Sequence, residues 1–303
     1  MQNNYLVRDC PSCQVSSATA KLVMQSNPPA EELEFKDLSE FWRGFRKNTV
    51  FFSYYRCLGC GLLYCPTYFN NEQLNSLYSR MDDNSAGEEL EILKKAQISY
   101  FSILGNRKEI KGHWVEVGAD IGLFAEQLSN YRDVSSLSII EPNLNSHASL
   151  QRLIKSEGVL TSSWNEIDSE LRFDGLVGIH VLDHLVELKD ELKRIQHHIR
   201  SGGAVFFVTH NESSLLRFLL RRKWPPFCLQ HPQIFNRSSI KTTLQMSGFC
   251  SVYTQSSPNY FNLRHVFSVL FSLIGFHRNL LKFVPNFSLK LRLGNFATVA
   301  SKS

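Results

Sequence analysis

The stretch from His113 to Phe124, HWVEVGADIGLF, has the pattern of a β-strand that runs into a glycine-containing turn and then into a helix. Its first half is rich in apolar and aromatic side chains, which suit a buried strand. Gly118 and Gly122 let the backbone approach a ligand closely before the helix predicted over Leu123–Leu128 begins. A helix N-terminus beside bare backbone suits a polar, partly anionic small molecule. The same pattern also opens dinucleotide-binding folds, and it occurs in tight turns that bind no ligand.

A second acidic position follows one strand later. Leu137–Ile140 is predicted to be a buried strand, and it ends in Glu141 and Pro142. Glu141 lies 25 residues after Glu116, which is the spacing of one unit of strand, helix and strand. In an α/β sheet, an acid at this strand end is placed to accept hydrogen bonds from the two ribose hydroxyls of an adenosine. The two acidic positions together favour a nucleoside-containing ligand more than either does alone.

The pattern E-x-G-x-x-x-G formed by Glu116, Gly118 and Gly122 resembles the first motif of class I methyltransferases that depend on S-adenosylmethionine (SAM). In that family the acid and the glycines line the pocket for the methionine part and the ribose of SAM. The residues implied in SAM binding are Glu116, Gly118, Asp120, Gly122, Glu141, Pro142 and His180.

Asp120 departs from the family pattern, because the family usually has glycine at this central position. Its side chain could cap the following helix, since aspartate is a favoured N-cap residue. It could also crowd or repel the SAM carboxylate. The departure therefore leaves a methyltransferase fold without catalytic activity open as an alternative.

Three later segments resemble the same family, and they come in the same order. His180–Leu185, HVLDHL, resembles the family's H-V-L-E-H-L segment, where the end of the fourth strand faces both SAM and acceptor. Ser201–Gly203 resembles its turn before the fifth strand, and Gly248–Phe249 resembles its step into the sixth. The resemblance implies an α/β fold, a Rossmann-like seven-stranded class I methyltransferase sheet with an N-terminal zinc-ribbon unit.

Hydrophobic spacing predicts the other elements of this fold. The expected later strands are Gly158–Leu160, Gly175–Ile179, Ala204–Val208, Ser251–Gln255 and Asn295–Ala300. The expected helices are Tyr68–Leu77, Glu89–Leu104, Ser146–Glu157, Glu187–Arg200, Ser213–Arg222 and Ser238–Met246. We expect a unit over residues 1–80 and a methyltransferase domain over 85–303, with a basic insertion at 259–287.

Four cysteines near the N-terminus form two C-x-x-C pairs, Cys10 with Cys13 and Cys57 with Cys60. Each pair can direct two thiolates at one tetrahedral zinc ion, and a closed site of four thiolates is structural, not catalytic. The 43 residues between the pairs exceed the usual spacing of a zinc ribbon, so an insertion must loop out. Four free buried cysteines are the alternative. The stretch resembles the zinc-ribbon lead-in of many bacterial methyltransferases that modify sugars.

The composition, with 43% hydrophobic and 20% charged residues among 303, is that of a globular protein. The first residues show no secretory signal, and no apolar run is long enough to cross a membrane. Seven cysteines, four of them in C-x-x-C pairs, fit a reducing compartment with a metal site better than a disulfide scaffold. We therefore expect a cytoplasmic protein.

The charge is unevenly distributed along the chain. From Ser201 onward there are twelve basic residues and one acidic residue, although the net charge of the whole chain is only +5. Such a split suggests contact with a phosphorylated substrate, a membrane surface or a nucleic acid, or else a solvated basic face. The apolar helix predicted over His265–Phe276 could lie on the inner membrane, close over the active site or form a dimer interface.

Methyl transfer requires that donor and acceptor be held in line and that one proton be removed from the acceptor. Histidine suits proton removal near neutral pH. We expect His184 or His231 to be the base, with His180 also near the methyl group and His210 and Asn211 positioning a hydroxyl.

His180, Asp183 and His184 could instead gather a divalent ion, as a comparable cluster does in some quinone O-methyltransferases, or could simply begin an amphipathic helix.

The leading hypothesis is a SAM-dependent methyltransferase that acts on a hydroxyl or carbon of a sugar. That sugar would belong to a cell-surface polysaccharide or to a nucleotide-linked, anionic small molecule. The first alternative is an RNA methyltransferase, although the basic third lacks the interleaved aromatic and arginine residues of a stacking platform. The second is a catalytically silent scaffold.

Overall fold

The computed structural model describes residues 4–42, 49–78, 90–262 and 288–303. Its centre is a seven-stranded sheet in the order β12-β13-β10-β9-β6-β7-β8. These strands are β6 (Gly112–Val117), β7 (Val134–Ile140), β8 (Leu160–Thr161), β9 (Phe173–Ile179), β10 (Ile199–His210), β12 (Phe249–Asn262) and β13 (Ser288–Lys302). Five adjacent strands, β10, β9, β6, β7 and β8, run parallel to one another. β13 runs antiparallel to both of its neighbours, β10 and β12. The predicted α/β class I methyltransferase sheet is confirmed.

Helices cover both faces of the sheet because its strands are apolar on both sides. On one face, α3 (Leu90–Gly105) and α4 (Leu123–Asn130) pack on a core that contains Trp114 and Phe206. On the other face, α6 (Leu188–His198) and α8 (Arg237–Met246) pack on a core that contains Phe207. Neighbouring residues such as Phe206 and Phe207 thus enter opposite layers, as alternation along a strand requires.

The N-terminal unit forms two small sheets. One pairs β1 (Leu6–Val7) with β5 (Thr67–Tyr68). The other has the order β11-β4-β3-β2, in which β2 is Lys21–Met24, β3 is Tyr54–Arg56, β4 is Leu63–Tyr64 and β11 is Gln233–Ile234. Short helices α1 (Phe35–Leu38) and α2 (Asn71–Tyr78) complete the unit.

One strand of the N-terminal sheet comes from the other end of the chain. β11 lies far beyond the N-terminal residues in sequence, yet it pairs with β4 through Gln233 opposite Tyr64 and Ile234 opposite Leu63. The aromatic core of the unit likewise includes Trp224 and Phe227. The loop that precedes β11 is therefore held by the N-terminal unit.

The helix predicted over Ser146–Glu157 is wrong as a single element. Only α5 (His147–Leu150) is α-helical, with short 3-10 turns before and after it. The chain then turns back on β7, because Leu137 and Lys155 form an antiparallel bridge. Gly158 lies so close to this strand that a Cβ there would come within 1.8 Å of the Leu137 carbonyl oxygen. The close return ends the helix.

Two other predicted helices are shorter than expected. The helix predicted from Tyr68 begins at Asn71, because Asn70 caps it by accepting a hydrogen bond from Gln73 N at 2.9 Å. The helix predicted over Ser213–Arg222 is reduced to α7 (Leu215–Leu220). It ends there because Arg221 has a positive φ of 49°.

The last two strands are longer than predicted and form a hairpin that extends beyond the sheet. Asn259 pairs with Leu291 and Tyr260 with Lys290, so the first residues of the expected insertion at 259–287 belong to β12. The helix predicted over His265–Phe276 falls outside the described residues. Within the described ranges, no helix is long and apolar enough to cross a membrane.

Candidate functional site

The glycine turn after β6 is built from left-handed backbone. Gly118 has a φ of 68° and Gly122 a φ of 80°, and Asp120 between them has a φ of 52°. Aspartate tolerates this region better than most residues do, although glycine fits it without strain. The backbone thus explains why a glycine would suit this position and why an aspartate can replace it.

The predicted capping of α4 by Asp120 is wrong. The N-cap residue is Gly122, which has no side chain to cap the helix.

Glu141, at the end of β7, is turned toward the glycine turn. Its Oε2 accepts a hydrogen bond from Asp120 N at 2.7 Å, and its Oε1 accepts one from Asn143 N at 2.8 Å. The residue is only 6% exposed, whereas Pro142 beside it is exposed. A carboxylate has about four acceptor positions, so Glu141 can still accept two hydroxyl hydrogens. The ribose-binding role expected from the sequence stays a prediction, and this geometry is compatible with it.

Glu116 lies within β6 and is 2% exposed. Burial and, to a smaller extent, the charge of Glu141 raise its pKa well above that of a free glutamate. Among the described residues, its Oε2 has no hydrogen-bond partner. Burial is the main cause that raises the pKa of Glu141, and the charge of Asp120 also raises it. Three acidic groups around one turn favour a ligand that carries positive charge, as the sulfonium and ammonium groups of SAM do.

The turn lies at the point where the strand order of the sheet reverses. β6 pairs with β7 on one side and with β9 on the other, and ligands of α/β sheets bind at such a switch point. A Cβ on Gly118 would come within 2.9 Å of Val181 Cγ2, in the segment that follows β9. The acid-rich turn and the HVLDHL segment therefore form two walls of one site.

Four histidines gather beside this site. The ring centroids of His180 and His210 lie 4.6 Å apart, those of His210 and His231 4.8 Å, and those of His184 and His231 4.6 Å. His180 directly follows β9, and His210 is the last residue of the neighbouring strand β10. His180 N donates a hydrogen bond to Val208 O of β10 at 2.8 Å. The structure thus brings together all the histidines that the sequence singled out.

Within the histidine cluster, Asp183 and His210 are joined by hydrogen bonds. Asp183 Oδ2 accepts hydrogen bonds from His210 Nδ1 at 2.9 Å and from His210 N at 3.0 Å. The Asp183 side chain is fully buried, whereas 19% of the His210 side chain is exposed. Because the Asp183 carboxylate accepts the hydrogen bond from Nδ1, the neutral His210 ring has Nε2 as its basic nitrogen. Burial raises the pKa of Asp183 to about 6.

The remaining three histidines are less suited to accept a proton. Burial would lower the pKa of His231, but Cys228 and Asp183 outweigh it and raise that pKa to about 9. His231 Nδ1 also donates to Pro226 O at 2.8 Å. Burial and the neighbouring histidines lower the pKa of His184 well below 6.5, and burial lowers that of His180 to about 3.

His180, Asp183 and His210 each place one potential ligand atom within 4.8 Å of the others, so they could hold a divalent ion. His184, which the sequence suggested as the third ligand, is not in this group. Asp183 Oδ2 already accepts two hydrogen bonds from His210, and this favours an acid–base pair over a metal site, although Asp183 Oδ1 has no hydrogen-bond partner among the described residues.

The four N-terminal cysteines also converge. The Sγ atoms of Cys10 and Cys60 lie 3.5 Å apart, those of Cys13 and Cys57 lie 3.4 Å apart, and all four lie within 4.8 Å of one another. About 3.8 Å is the sulfur separation expected around a tetrahedral zinc ion with Zn–S bonds of about 2.3 Å. The chemistry and the spacing of these thiols fit zinc.

Sequence patterns did not reveal the residues that support the histidine cluster. Asn295 Nδ2, from β13, donates to His180 Nε2 at 3.4 Å. Tyr54 OH, from the N-terminal unit, donates to His231 O at 2.7 Å. Both contacts join segments more than a hundred residues apart, so no local pattern could have shown them.

Comparison with known proteins agrees with this architecture. The sequence matches the methyltransferase-domain family over residues 91–254. No curated protein matches the chain. A methyltransferase chain in the complex with the Trm112 methyltransferase activator of Haloferax volcanii is 9% identical, with a TM-score of 0.53, over 73% of this chain and 98% of that one.

Two further solved structures are similar at lower scores. The N-methyltransferase NodS of Bradyrhizobium japonicum, in complex with S-adenosyl-L-homocysteine, is 13% identical over 75% of this chain and 97% of that one, with a TM-score of 0.48. A SAM-dependent methyltransferase of Archaeoglobus fulgidus is 14% identical over 77% and 100%, also with a TM-score of 0.48. Since the family match extends over more than half of the chain, this protein belongs to the methyltransferase-domain family, with the fold of the class I SAM-dependent enzymes.

Proposed function

We propose that this protein binds SAM at the glycine turn and transfers its methyl group to a hydroxyl of a sugar, in a polysaccharide precursor or nucleotide sugar. The observation that carries the proposal is the Asp183–His210 pair, joined at 2.9 Å after β9 and at the end of β10, on the edge of the parallel sheet where the glycine turn also lies. An acceptor hydroxyl must lose a proton as it is methylated, and this pair can take it.

The residues around the turn fit SAM. Glu141 can accept the two ribose hydroxyls, and the unpartnered Oε2 of Glu116 lies in the same acidic region. Gly118 leaves room for a ligand, because the side chain of any other residue at this position would come too close to Val181. When bound, SAM supplies a methyl group on a positively charged sulfur. The protein contributes the acidic surroundings that favour this charge and the backbone that fixes its orientation.

His210 is the group that we assign as general base, in place of His184 or His231. Its Nε2 takes the acceptor's proton while Asp183, which accepts the hydrogen bond from Nδ1, stabilises the imidazolium that forms. His231, with its raised pKa, already carries a proton near neutral pH and cannot accept another. His180, neutral at working pH, and Asn295 behind it support the wall beside His210.

Two observations support a sugar as the methyl acceptor. The N-terminal cysteine unit resembles the lead-in of methyltransferases that modify sugars, and the basic last third suits a phosphorylated acceptor. None of the seven cysteines, all of which are described, forms a disulfide, and this supports the proposed cytoplasmic location.

Zinc at the four N-terminal cysteines is part of the same proposal. The ion would have four protein ligands and no open position, so its role would be to hold the N-terminal unit together. This unit in turn holds the loop that carries His231, through β11 and through the hydrogen bond from Tyr54.

The test is to incubate the purified protein with SAM and a panel of nucleotide sugars, and to search by mass spectrometry for an acceptor that has gained one methylene. The variant Asp183→Asn serves as the inactive comparison. Calorimetry with SAM distinguishes the alternatives, because a silent scaffold would give no heat. RNA affinity that falls steeply with salt, together with methylated RNA, would favour an RNA methyltransferase instead.

A further inference from the structure

The short helix α7 exposes its apolar side chains. Leu215, Phe218 and Leu219 are 61%, 67% and 64% exposed, and Leu220 is 38% exposed. The first three are spaced at i, i+3 and i+4, so they lie on one face of the helix. Single exposed apolar residues are normal on protein surfaces, but four within six residues form a patch that marks a contact surface.

The inward side of α7 is well anchored, so the patch is a fixed feature of the fold. Leu216 packs on the aromatic core of the N-terminal unit, and the Arg217 guanidinium lies 5.7 Å from the centre of the Phe227 ring. Ser214 caps the helix by accepting a hydrogen bond from Arg217 N at 3.2 Å. The outward orientation of the apolar face follows from these contacts.

Three exposed basic residues, Arg221, Arg222 and Lys223, follow the patch directly. Apolar side chains that enter the acyl boundary, next to cations that meet phosphate groups, are typical of surfaces that bind anionic membranes. A nucleic acid would gain little from four exposed aliphatic and aromatic side chains on a helix face. The combination therefore favours a lipid surface over RNA.

The patch also borders the proposed acceptor site. Residues 211–223 leave the sheet directly after His210, and the next residue, Trp224, packs its ring 6.5 Å from that of His210. Both ends of this loop thus meet at the proposed base. A membrane that contacts the loop would therefore contact a segment that begins and ends beside His210.

We propose that α7 and the basic residues after it dock this protein on an anionic membrane. The docking needs no catalysis. Its consequence, that the methyl acceptor is carried on a lipid, rests on the proposed methyl transfer.

The experiment measures cosedimentation of the full chain with vesicles of phosphatidylcholine, with and without phosphatidylglycerol. The variants are Phe218→Ser/Leu219→Ser and Arg221→Gln/Arg222→Gln. The matched controls are Leu144→Ser, which removes another apolar side chain that is 67% exposed, and Arg132→Gln, whose side chain is 95% exposed. Melting temperatures verify that each variant folds. If Phe218→Ser/Leu219→Ser does not fold, Arg221→Gln/Arg222→Gln alone tests the proposal.

The wild-type chain should bind the anionic vesicles, less so at high salt, and each double variant should bind roughly 30-fold more weakly. The controls should bind as the wild type does. Absence of binding, or binding that both double variants retain, would overturn the proposal. So would a wild-type dimer that Phe218→Ser/Leu219→Ser converts to a monomer, or RNA binding that the basic variant alone abolishes. None of these outcomes depends on methyl transfer, which is assayed separately.

Discussion

Asp183 and His210 come from the ends of two neighbouring parallel strands and meet in a hydrogen bond of 2.9 Å between Oδ2 and Nδ1. The buried carboxylate fixes the imidazole ring by also accepting the backbone N–H of His210 at 3.0 Å. The hydrogen bond at Nδ1 sets the tautomer of His210, in which Nδ1 carries the proton and Nε2 is the basic nitrogen.

Removal of either member of this pair should slow catalysis without loss of SAM binding. For His210→Asn and Asp183→Asn we expect kcat to fall by about 10² to 10⁴, the usual contribution of a general base. The SAM dissociation constant, measured by calorimetry, should change little because neither residue belongs to the acidic turn.

The matched controls are His197→Asn and Asp190→Asn, both exposed on α6. A His210→Asn variant with normal kcat would exclude His210 as the base. If kcat instead falls on dialysis against a chelator and returns with a divalent ion, these residues hold a metal.

The pH dependence of kcat should show an acid limb near pH 6. Burial raises the pKa of Asp183 to about 6, so the carboxylate is charged above this pH and neutral below it. Protonation removes the charge that stabilises the imidazolium of His210, and the rate falls as pH decreases through this range. A kcat that is constant from pH 7 down to pH 5 would contradict the assignment.

The effect of a substitution at position 120 on stability should depend on the backbone conformation there and not on the loss of charge. Because Asp120 has a φ of 52°, Asp120→Gly should leave the free energy of unfolding almost unchanged, whereas Asp120→Ala should lower it by about 1 kcal/mol. Urea unfolding measures both. Equal stability of the two variants would show that the left-handed backbone of this turn has no energetic consequence.

Zinc should be present at about one ion per chain. Cys57→Ser should lower the zinc content, the melting temperature and kcat together, because the loop before β11 depends on the N-terminal sheet. Cys250→Ser, which changes a cysteine in β12, serves as control. A wild-type chain that contains no zinc and is insensitive to a chelator would exclude the metal site.

Local sequence patterns predicted the sheet well and the chemistry less well. The strand, turn and helix around Gly118 and the acid at Glu141 lie where spacing placed them, because burial and backbone geometry there are set by nearby residues. The interrupted helix after Ser146 was missed, since its end depends on a bridge to Leu137.

Contacts between distant segments had no signal in a single sequence. Sequence patterns placed the histidines in one site, but they did not predict the hydrogen bond between Asp183 and His210, which are 27 residues apart. The hydrogen bond from Tyr54 to the carbonyl of His231 spans 177 residues. It joins the N-terminal unit to the segment that carries His231.

The most direct test is calorimetric titration of the protein with SAM, for the wild type and for Glu141→Gln. The proposed site predicts one SAM per chain and a loss of affinity of roughly tenfold or more in the variant, because charged hydrogen bonds to the ribose are removed. Glu109→Gln, whose side chain is 71% exposed, should bind as the wild type does. Absence of heat with the wild type, or equal affinity in Glu141→Gln, would contradict the SAM site.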